Sequence, residues 1–204
     1  MSADVQQVMV FGQGVSGLEL LAFATGLASV WLALRMRIAN WPLGLISVAS
    51  YAVLFFHAKL YADALLQSVF VGFGIAGWRA WAIAGGTAVA GAVTCASPRE
   101  RIGVAAIALL SISAVALLLA RFTDSPAPLF DAAIFVSSLL AIWWQMQKKL
   151  ESWWLWIAVD LISIPLYWNR NLPLSAILYG VFLVLCVAGL RAWRSRMTPL
   201  SGAA

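Results

Sequence analysis

One stretch of this sequence, from Trp153 to Tyr179, is almost wholly apolar and yet keeps a carboxylate among aromatic and hydroxyl side chains. If this stretch is a helix with about 100° of rotation per residue, one arc of roughly 80° contains five notable side chains. They are Trp153, Trp156, Asp160, Ser163 and Tyr167. A face with a carboxylate, hydroxyl groups and aromatic rings could bind a small cationic ring by charge pairing and by stacking.

Asp160 is the carboxylate at the centre of this face. It lies about seven residues into a predicted membrane span, roughly 10 Å deep, where an ionised group is costly and usually functional. A substrate-facing role is the main interpretation, and a structural hydrogen bond or ion pair within the helix bundle is the alternative. Trp156 could form a wall of a ring-binding slot or could be a packing or interfacial residue. Trp153 is interpreted as an interfacial anchor.

Other polar and aromatic side chains extend the candidate site. Tyr167 and Asn171 could bond the hydroxyl groups of a ligand, although Asn171 could instead end a helix. Gln67 is an amide well inside another predicted span, and Tyr179 is its positional counterpart in the second half of the chain. The full set of predicted substrate-binding residues is Trp156, Asp160, Ser163, Tyr167, Asn171, Gln67, Tyr179, Tyr51 and Trp41.

The composition indicates a membrane protein and argues against several other classes. The chain is 63% hydrophobic and 10% charged, with eleven tryptophans, so its surface is expected to face the lipid bilayer. The net charge of +5 comes from basic residues at the ends of spans, where they set topology, so no nucleic acid partner is expected. The two cysteines suggest neither a disulfide framework nor a metal site. Because catalytic and phosphate-binding motifs are missing, we expect neither an enzyme nor a cofactor.

Seven stretches are long and apolar enough to be transmembrane helices. They cover about residues 18–36, 41–57, 62–82, 102–121, 129–147, 153–169 and 172–193. If the chain crosses the membrane seven times, ten of the thirteen Lys and Arg residues lie on one side. This distribution predicts a cytoplasmic C-terminus and an N-terminus outside the cell.

The two halves of the chain are copies of one another. When Gly77 is placed on Gly189, the halves align without a gap, and GWRAW at residues 77–81 meets GLRAW at residues 189–193. The predicted organisation is a three-helix repeat at 18–82, a loop and linker helix at 83–122, and a second three-helix repeat at 129–193. The linker helix would make the two repeats parallel.

The anionic face belongs to the second copy alone. Opposite Trp156, Asp160 and Ser163, the first copy has, in the same order, Gly44, Val48 and Tyr51. The first copy therefore offers small, apolar and aromatic side chains where the second offers charge. A substrate site between the two repeats would fit this asymmetry.

Several strings of the sequence resemble the PnuC family of bacterial vitamin transporters. They are NWPLGLISVASYAVLFFHAKLYADALLQ and GWRAW in the first half, and KKLESWWLWIAVD, PLY and AILYGVFLVL in the second. The resemblance covers about residues 18 to 193 and implies an all-α integral membrane protein with a SWEET-like arrangement of three, one and three helices. It also implies a homotrimer in the bacterial inner membrane.

The function that this resemblance implies is facilitated diffusion of a vitamin, with phosphorylation by a cytoplasmic kinase as the trapping step. Nicotinamide riboside is the expected substrate, and thiamine and riboflavin are the alternatives. Asp160 stands where many carriers of nicotinamide riboside in this family have Asn, so the substrate stays open. A membrane ligand sensor that transports nothing is the alternative from another functional class.

Overall fold

The computed structural model describes residues 7–10, 13–57, 61–83, 93–169 and 173–197. These ranges contain a short hairpin and seven α-helices, and the predicted spans begin and end within four residues of the helices. The elements are β1 (Gln7–Val10), β2 (Gln13–Ser16), α1 (Gly17–Leu34), α2 (Asn40–His57), α3 (Tyr61–Ile83), α4 (Pro98–Phe122), α5 (Pro128–Met146), α6 (Glu151–Asn169) and α7 (Pro173–Arg194).

The hairpin before α1 was not predicted. Its strands are antiparallel, with Gln7 opposite Ser16 and Val10 opposite Gln13. Ser16 also begins the first helix, because its hydroxyl accepts a hydrogen bond of 3.1 Å from the backbone N–H of Glu19. This side-chain bond satisfies one of the helical N–H groups that have no partner within the helix.

Four helical stretches in the described part of the chain are long and apolar enough to cross a membrane. They are Gly17–Leu34, Pro98–Phe122, Pro128–Met146 and Ala176–Arg194. On α4, Ile102, Leu110 and Leu117 are each more than 65% exposed, a pattern that suits contact with lipid chains rather than with water.

The chain divides into two compact units, Met1–Gly86 and Thr87–Ala204. In the first unit α2 packs against both α1 and α3. In the second unit α6 packs against both α5 and α7, and α4 packs against α5. The helix that carries Asp160 is therefore the middle helix of its copy.

The same turn follows the first helix of each copy. Met36 and Lys148, which are equivalent positions in the alignment of the two copies, have positive φ angles of 56° and 54°. After each of them a backbone N–H reaches back to the helix, from Arg37 to the carbonyl of Leu32 at 2.9 Å and from Lys149 to the carbonyl of Trp144 at 3.0 Å. Because a left-handed conformation is unfavourable for residues with a Cβ, its recurrence at equivalent positions is a specific likeness.

The GWRAW motif of the first copy forms part of a tryptophan packing joint. Trp41, at the start of α2, is 4% exposed and lies against Gly77 of α3. A Cβ added to Gly77 would overlap the Trp41 ring. The ring also meets Trp81 edge to face, with centroids 5.7 Å apart at 80°. The motif therefore serves packing between α2 and α3.

The GLRAW motif of the second copy forms the same joint. Trp153 is 1% exposed, lies against Gly189 of α7, and meets Trp193 edge to face with centroids 5.4 Å apart at 85°. This burial does not fit the interpretation of Trp153 as an interfacial anchor, because its ring is packed against α7 and exposes almost no surface to lipid headgroups. The repeat seen in the sequence corresponds to repeated packing in the structure.

Candidate functional site

Asp160 and Ser163 lie one turn apart on the buried face of α6. They are 3% and 0% exposed, respectively. Among the described residues, neither Oδ2 of Asp160 nor Oγ of Ser163 has a hydrogen-bond partner. A buried polar atom without a partner costs about 1 to 3 kcal/mol, and this face of α6 has two of them; the indole nitrogens of Trp41, Trp144 and Trp153 are unpartnered in the same way.

Cys186 of α7 contacts the carboxylate of Asp160. The Cys186 thiol is 4% exposed and hydrogen-bonds the side chain of Asp160. This contact leaves at least Oδ2 of the carboxylate without a hydrogen-bond partner among the described residues. No sequence pattern pointed to Cys186, because the contact joins two helices and neither helix shows it alone.

Trp156 is positioned by the helix on the other side of α6. Its indole N–H donates a hydrogen bond of 2.9 Å to Oε1 of Gln145, near the end of α5. The Trp156 side chain is half-buried, so one edge of the ring is fixed while part of its surface stays accessible. An indole held in this way can offer a stacking surface at a low entropy cost.

Tyr167 and Tyr179, both predicted site residues, lie together at the far end of α6 and the near end of α7. Their rings stack with centroids 5.2 Å apart and planes at 10°. Phe182 meets Tyr179 edge to face at 6.1 Å. Two candidates that are distant in sequence therefore form one aromatic cluster, about two helical turns beyond Asp160.

Three predicted site residues, Tyr51, Gln67 and Trp41, lie on α2 and α3 of the first unit. Tyr51 and Gln67 are half-buried on α2 and α3. Trp41 is enclosed by Gly77 and Trp81, which favours a packing role, and its part in binding stays a prediction. Asn171 lies outside the described residues.

No group of three or more His, Cys, Asp or Glu side chains in the described ranges could hold a metal ion. The buried face of α6 instead combines one carboxylate, one hydroxyl and the ordered ring of Trp156. Such a set of groups can bind an organic molecule that carries positive charge and hydroxyl groups.

The helical membrane fold is that of a family of multi-pass transporters, as the relatives of the chain show. The chain matches the nicotinamide mononucleotide transporter family over residues 16–195, and it belongs to that family. It is 30% identical to the riboflavin/roseoflavin transporter RibM of Streptomyces davaonensis, over 92% of this chain and 90% of that protein. It is 24% identical to the nicotinamide riboside transporter PnuC of Escherichia coli, over 93% and 92% of the two chains.

Two further comparisons agree. The nicotinamide riboside transporter PnuC of Neisseria mucosa is 29% identical, over 99% of this chain and 81% of that protein. The crystal structure of the vitamin B3 transporter PnuC matches with a TM-score of 0.71 and 27% identity, over 87% of this chain and 80% of that chain. The predicted membership of the PnuC family and the predicted all-helical membrane fold are confirmed. The relatives are transporters, and their named substrates differ.

Proposed function

We propose that this protein carries nicotinamide riboside across the bacterial inner membrane by facilitated diffusion. The observation that carries the proposal is the buried Asp160 carboxylate, whose Oδ2 has no hydrogen-bond partner in the described part of the chain and lies one turn from the equally unpartnered hydroxyl of Ser163. Nicotinamide riboside has a cationic pyridinium ring and a ribose with hydroxyl groups. A charge-assisted contact to Asp160 and a hydrogen bond to Ser163 would satisfy both buried atoms.

The aromatic residues would supply the surface for the ring. Trp156 is oriented by its bond to Gln145, and its accessible part could stack on a pyridinium ring. Tyr167 and Tyr179 would close one end of the site as a stacked pair. Asn171, Gln67, Tyr51 and Trp41 remain predicted contributors from the other parts of the chain.

The transport cycle that we propose needs no ion gradient. Net uptake would follow from phosphorylation of the vitamin by a cytoplasmic kinase, which keeps the concentration of free substrate inside the cell low. We also propose a homotrimer with a SWEET-like arrangement of parallel repeats at residues 18–82 and 129–193, joined by a loop and linker helix at 83–122. The N-terminus would lie outside the cell and the C-terminus in the cytoplasm.

Riboflavin is the second candidate substrate, because the chain is 30% identical to a riboflavin/roseoflavin transporter. The flavin ring system is neutral, so it would use the aromatic surfaces but gain no charge pairing from Asp160. Thiamine is cationic and would gain the charge pairing. The charge of the preferred ligand therefore separates riboflavin from the other two.

Calorimetric titration of the purified protein with nicotinamide riboside, thiamine and riboflavin tests the substrate. We expect nicotinamide riboside to bind most tightly. Asp160→Asn should weaken that binding about 5- to 150-fold, the effect of losing a contact worth roughly 1 to 3 kcal/mol. Asp131→Asn is the control, because that carboxylate accepts a hydrogen bond of 2.5 Å from Ser125. Tighter binding of riboflavin, unchanged in Asp160→Asn, would contradict the proposal.

Uptake into proteoliposomes tests the mode of transport. Radiolabelled nicotinamide riboside should equilibrate across the membrane without accumulating, and an imposed proton or sodium gradient should not change the end point. Enclosing a suitable kinase with ATP should produce accumulation of the phosphorylated product. Concentrative uptake driven by the gradient alone would refute facilitated diffusion, and binding without any movement would favour a ligand sensor.

A further inference from the structure

The first unit has an open groove where α1 ends. Trp31 on its wall is 44% exposed, and the guanidinium of Arg35 lies 4.1 Å from the centroid of the Trp31 ring. The groove has a volume of about 360 Å³, and its described lining residues belong to α1 and the turn that follows. They are Trp31, Leu32, Arg35, Arg37 and Ala39.

The groove lies where a membrane-spanning helix leaves the hydrocarbon. The apolar span of α1 ends at Leu34, so Trp31 lies within its last turn and the two arginines directly follow it. Tryptophan is enriched at this depth, and arginine side chains extend from it towards the headgroups. An apolar wall therefore continues into a cationic rim.

The equivalent surface of the second copy is covered by the chain itself. In the alignment of the two copies Leu32 corresponds to Trp144, and Trp144 packs in a buried cluster with Ala96 and Val104. Both of these partners belong to the stretch at the start of α4, and Ala96 precedes that helix. The second copy thus shows that this surface can accept a packed partner.

Polar contacts in the second copy define the character of that partner. Glu151, the equivalent of Ala39, accepts hydrogen bonds from the backbone N–H of Ala96 at 2.9 Å and from Nε of Arg101 at 3.0 Å, and it forms an ion pair with Nη2 of Arg101 at 2.7 Å. Lys149, the equivalent of Arg37, pairs with Glu100 at 3.3 Å. The segment that covers this surface, at the start of α4, carries Glu100 and Arg101, and each pairs with an opposite charge on the surface, Lys149 and Glu151.

The first copy has no acid at these positions. Ala39 replaces the acid of Glu151, Arg35 replaces the amide of Gln147, and Arg37 keeps a positive charge. The groove is therefore complementary to an anion joined to an apolar chain. We propose that it binds an anionic phospholipid, with the headgroup phosphate at Arg35 and Arg37 and an acyl chain along Trp31 and Leu32.

Native mass spectrometry of the full-length protein in detergent, titrated with phosphatidylglycerol or phosphatidylcholine, tests this site. Phosphatidylglycerol should bind the wild type more tightly than phosphatidylcholine does. The double variant Arg35→Gln with Arg37→Gln should weaken the binding of phosphatidylglycerol about tenfold or more, since each cation near an anionic headgroup contributes about fivefold. Replacing both arginines by lysine should retain most of the binding. Arg79→Gln, which removes another exposed arginine near the end of α3, should change binding by less than about twofold.

Four results would overturn the proposal. Equal affinity for the two lipids would remove the charge recognition, and an equal loss in Arg79→Gln would show a diffuse field instead of a site. Displacement by soluble glycerol phosphate as effectively as by the lipid would identify a free-phosphate site. Loss of oligomeric state in the double variant, in phosphatidylcholine alone, would show that a second copy of the chain occupies the groove.

Discussion

The two copies within this chain share their packing and differ in their chemistry. The tryptophan in contact with a glycine, the second tryptophan at its edge, and the left-handed turn all recur at equivalent positions of the two copies. Asp160 and Ser163, by contrast, correspond to Val48 and Tyr51. The comparison teaches that close packing constrains residues in both copies, whereas a binding face can be built on one of them.

An exchange of side chains between the copies gives the largest expected effect. Asp160→Val should weaken the binding of nicotinamide riboside by about 10- to 100-fold or more, because it removes the carboxylate from the buried face of α6. Adding Val48→Asp to this variant should not restore affinity, since the positions equivalent to Ser163 and Cys186 are Tyr51 and Gly74. Calorimetry measures both changes, and full restoration would show that the two copies are chemically interchangeable.

Alanine at the packing glycines tests the shared part of the comparison. Gly77→Ala and Gly189→Ala should each lower the free energy of unfolding by about 1 to 3 kcal/mol, because the added methyl group overlaps a tryptophan ring held by helix packing. Gly72→Ala and Gly180→Ala are matched controls, since no atom lies within 4 Å of a Cβ there.

The controls should be neutral or stabilising by up to about 1 kcal/mol, because alanine favours a helix over glycine. Unfolding in detergent, induced by heat or by denaturant, gives the free energy of unfolding of all four variants. A large loss at Gly189 with none at Gly77 would show that the two joints are not equivalent in energy, despite their similar geometry.

Glu151→Gln tests a feature that the second copy has alone. This change weakens the paired contacts to Arg101 and to the backbone of Ala96, and should lower the free energy of unfolding by about 1 kcal/mol. Hydrogen exchange should rise at the backbone around Ala96. Glu100→Gln is the control in the ion pair with Lys149, and it should have the smaller effect because the Glu100 side chain is more exposed than that of Glu151. An equal effect of both changes would contradict a specific role for Glu151.

Cys186→Ala gives the smallest expected effect. Loss of the thiol should relax the orientation of Asp160 and weaken the binding of nicotinamide riboside by about 0.5 to 1 kcal/mol. Cys186→Ser should keep the affinity of the wild type, because a hydroxyl group can also donate a hydrogen bond. The informative quantity is the ratio of affinities for nicotinamide riboside and riboflavin. A purely structural role would change both affinities alike and leave that ratio constant.

The sequence alone was sufficient to predict the seven helices to within four residues, because each is predominantly apolar and is bounded by charged, polar or helix-breaking residues. It also predicted the repeat and the arc that contains Asp160 and Ser163, since helical periodicity relates residues on the same helix. The structure buries both residues together.

Contacts between helices were beyond the reach of that periodicity. Trp153 was interpreted as an anchor because nothing along α6 shows that Gly189 opens a space for its ring. The bond between Cys186 and Asp160 and the bond between Trp156 and Gln145 were missed for the same reason. The hairpin was missed because two strands of four residues give too weak an alternating pattern to distinguish from a loop.

The contact between Glu151 and the start of α4 has a consequence for synthesis of the chain. Arg101 emerges from the ribosome 50 residues before the Glu151 that will pair with it. At about 5 to 20 residues per second, the start of α4 waits roughly 3 to 10 seconds for this partner. Through that interval Arg101 and the backbone N–H of Ala96 lack the carboxylate of Glu151, so this end of α4 gains its ion pair only once the second half of the chain is being made.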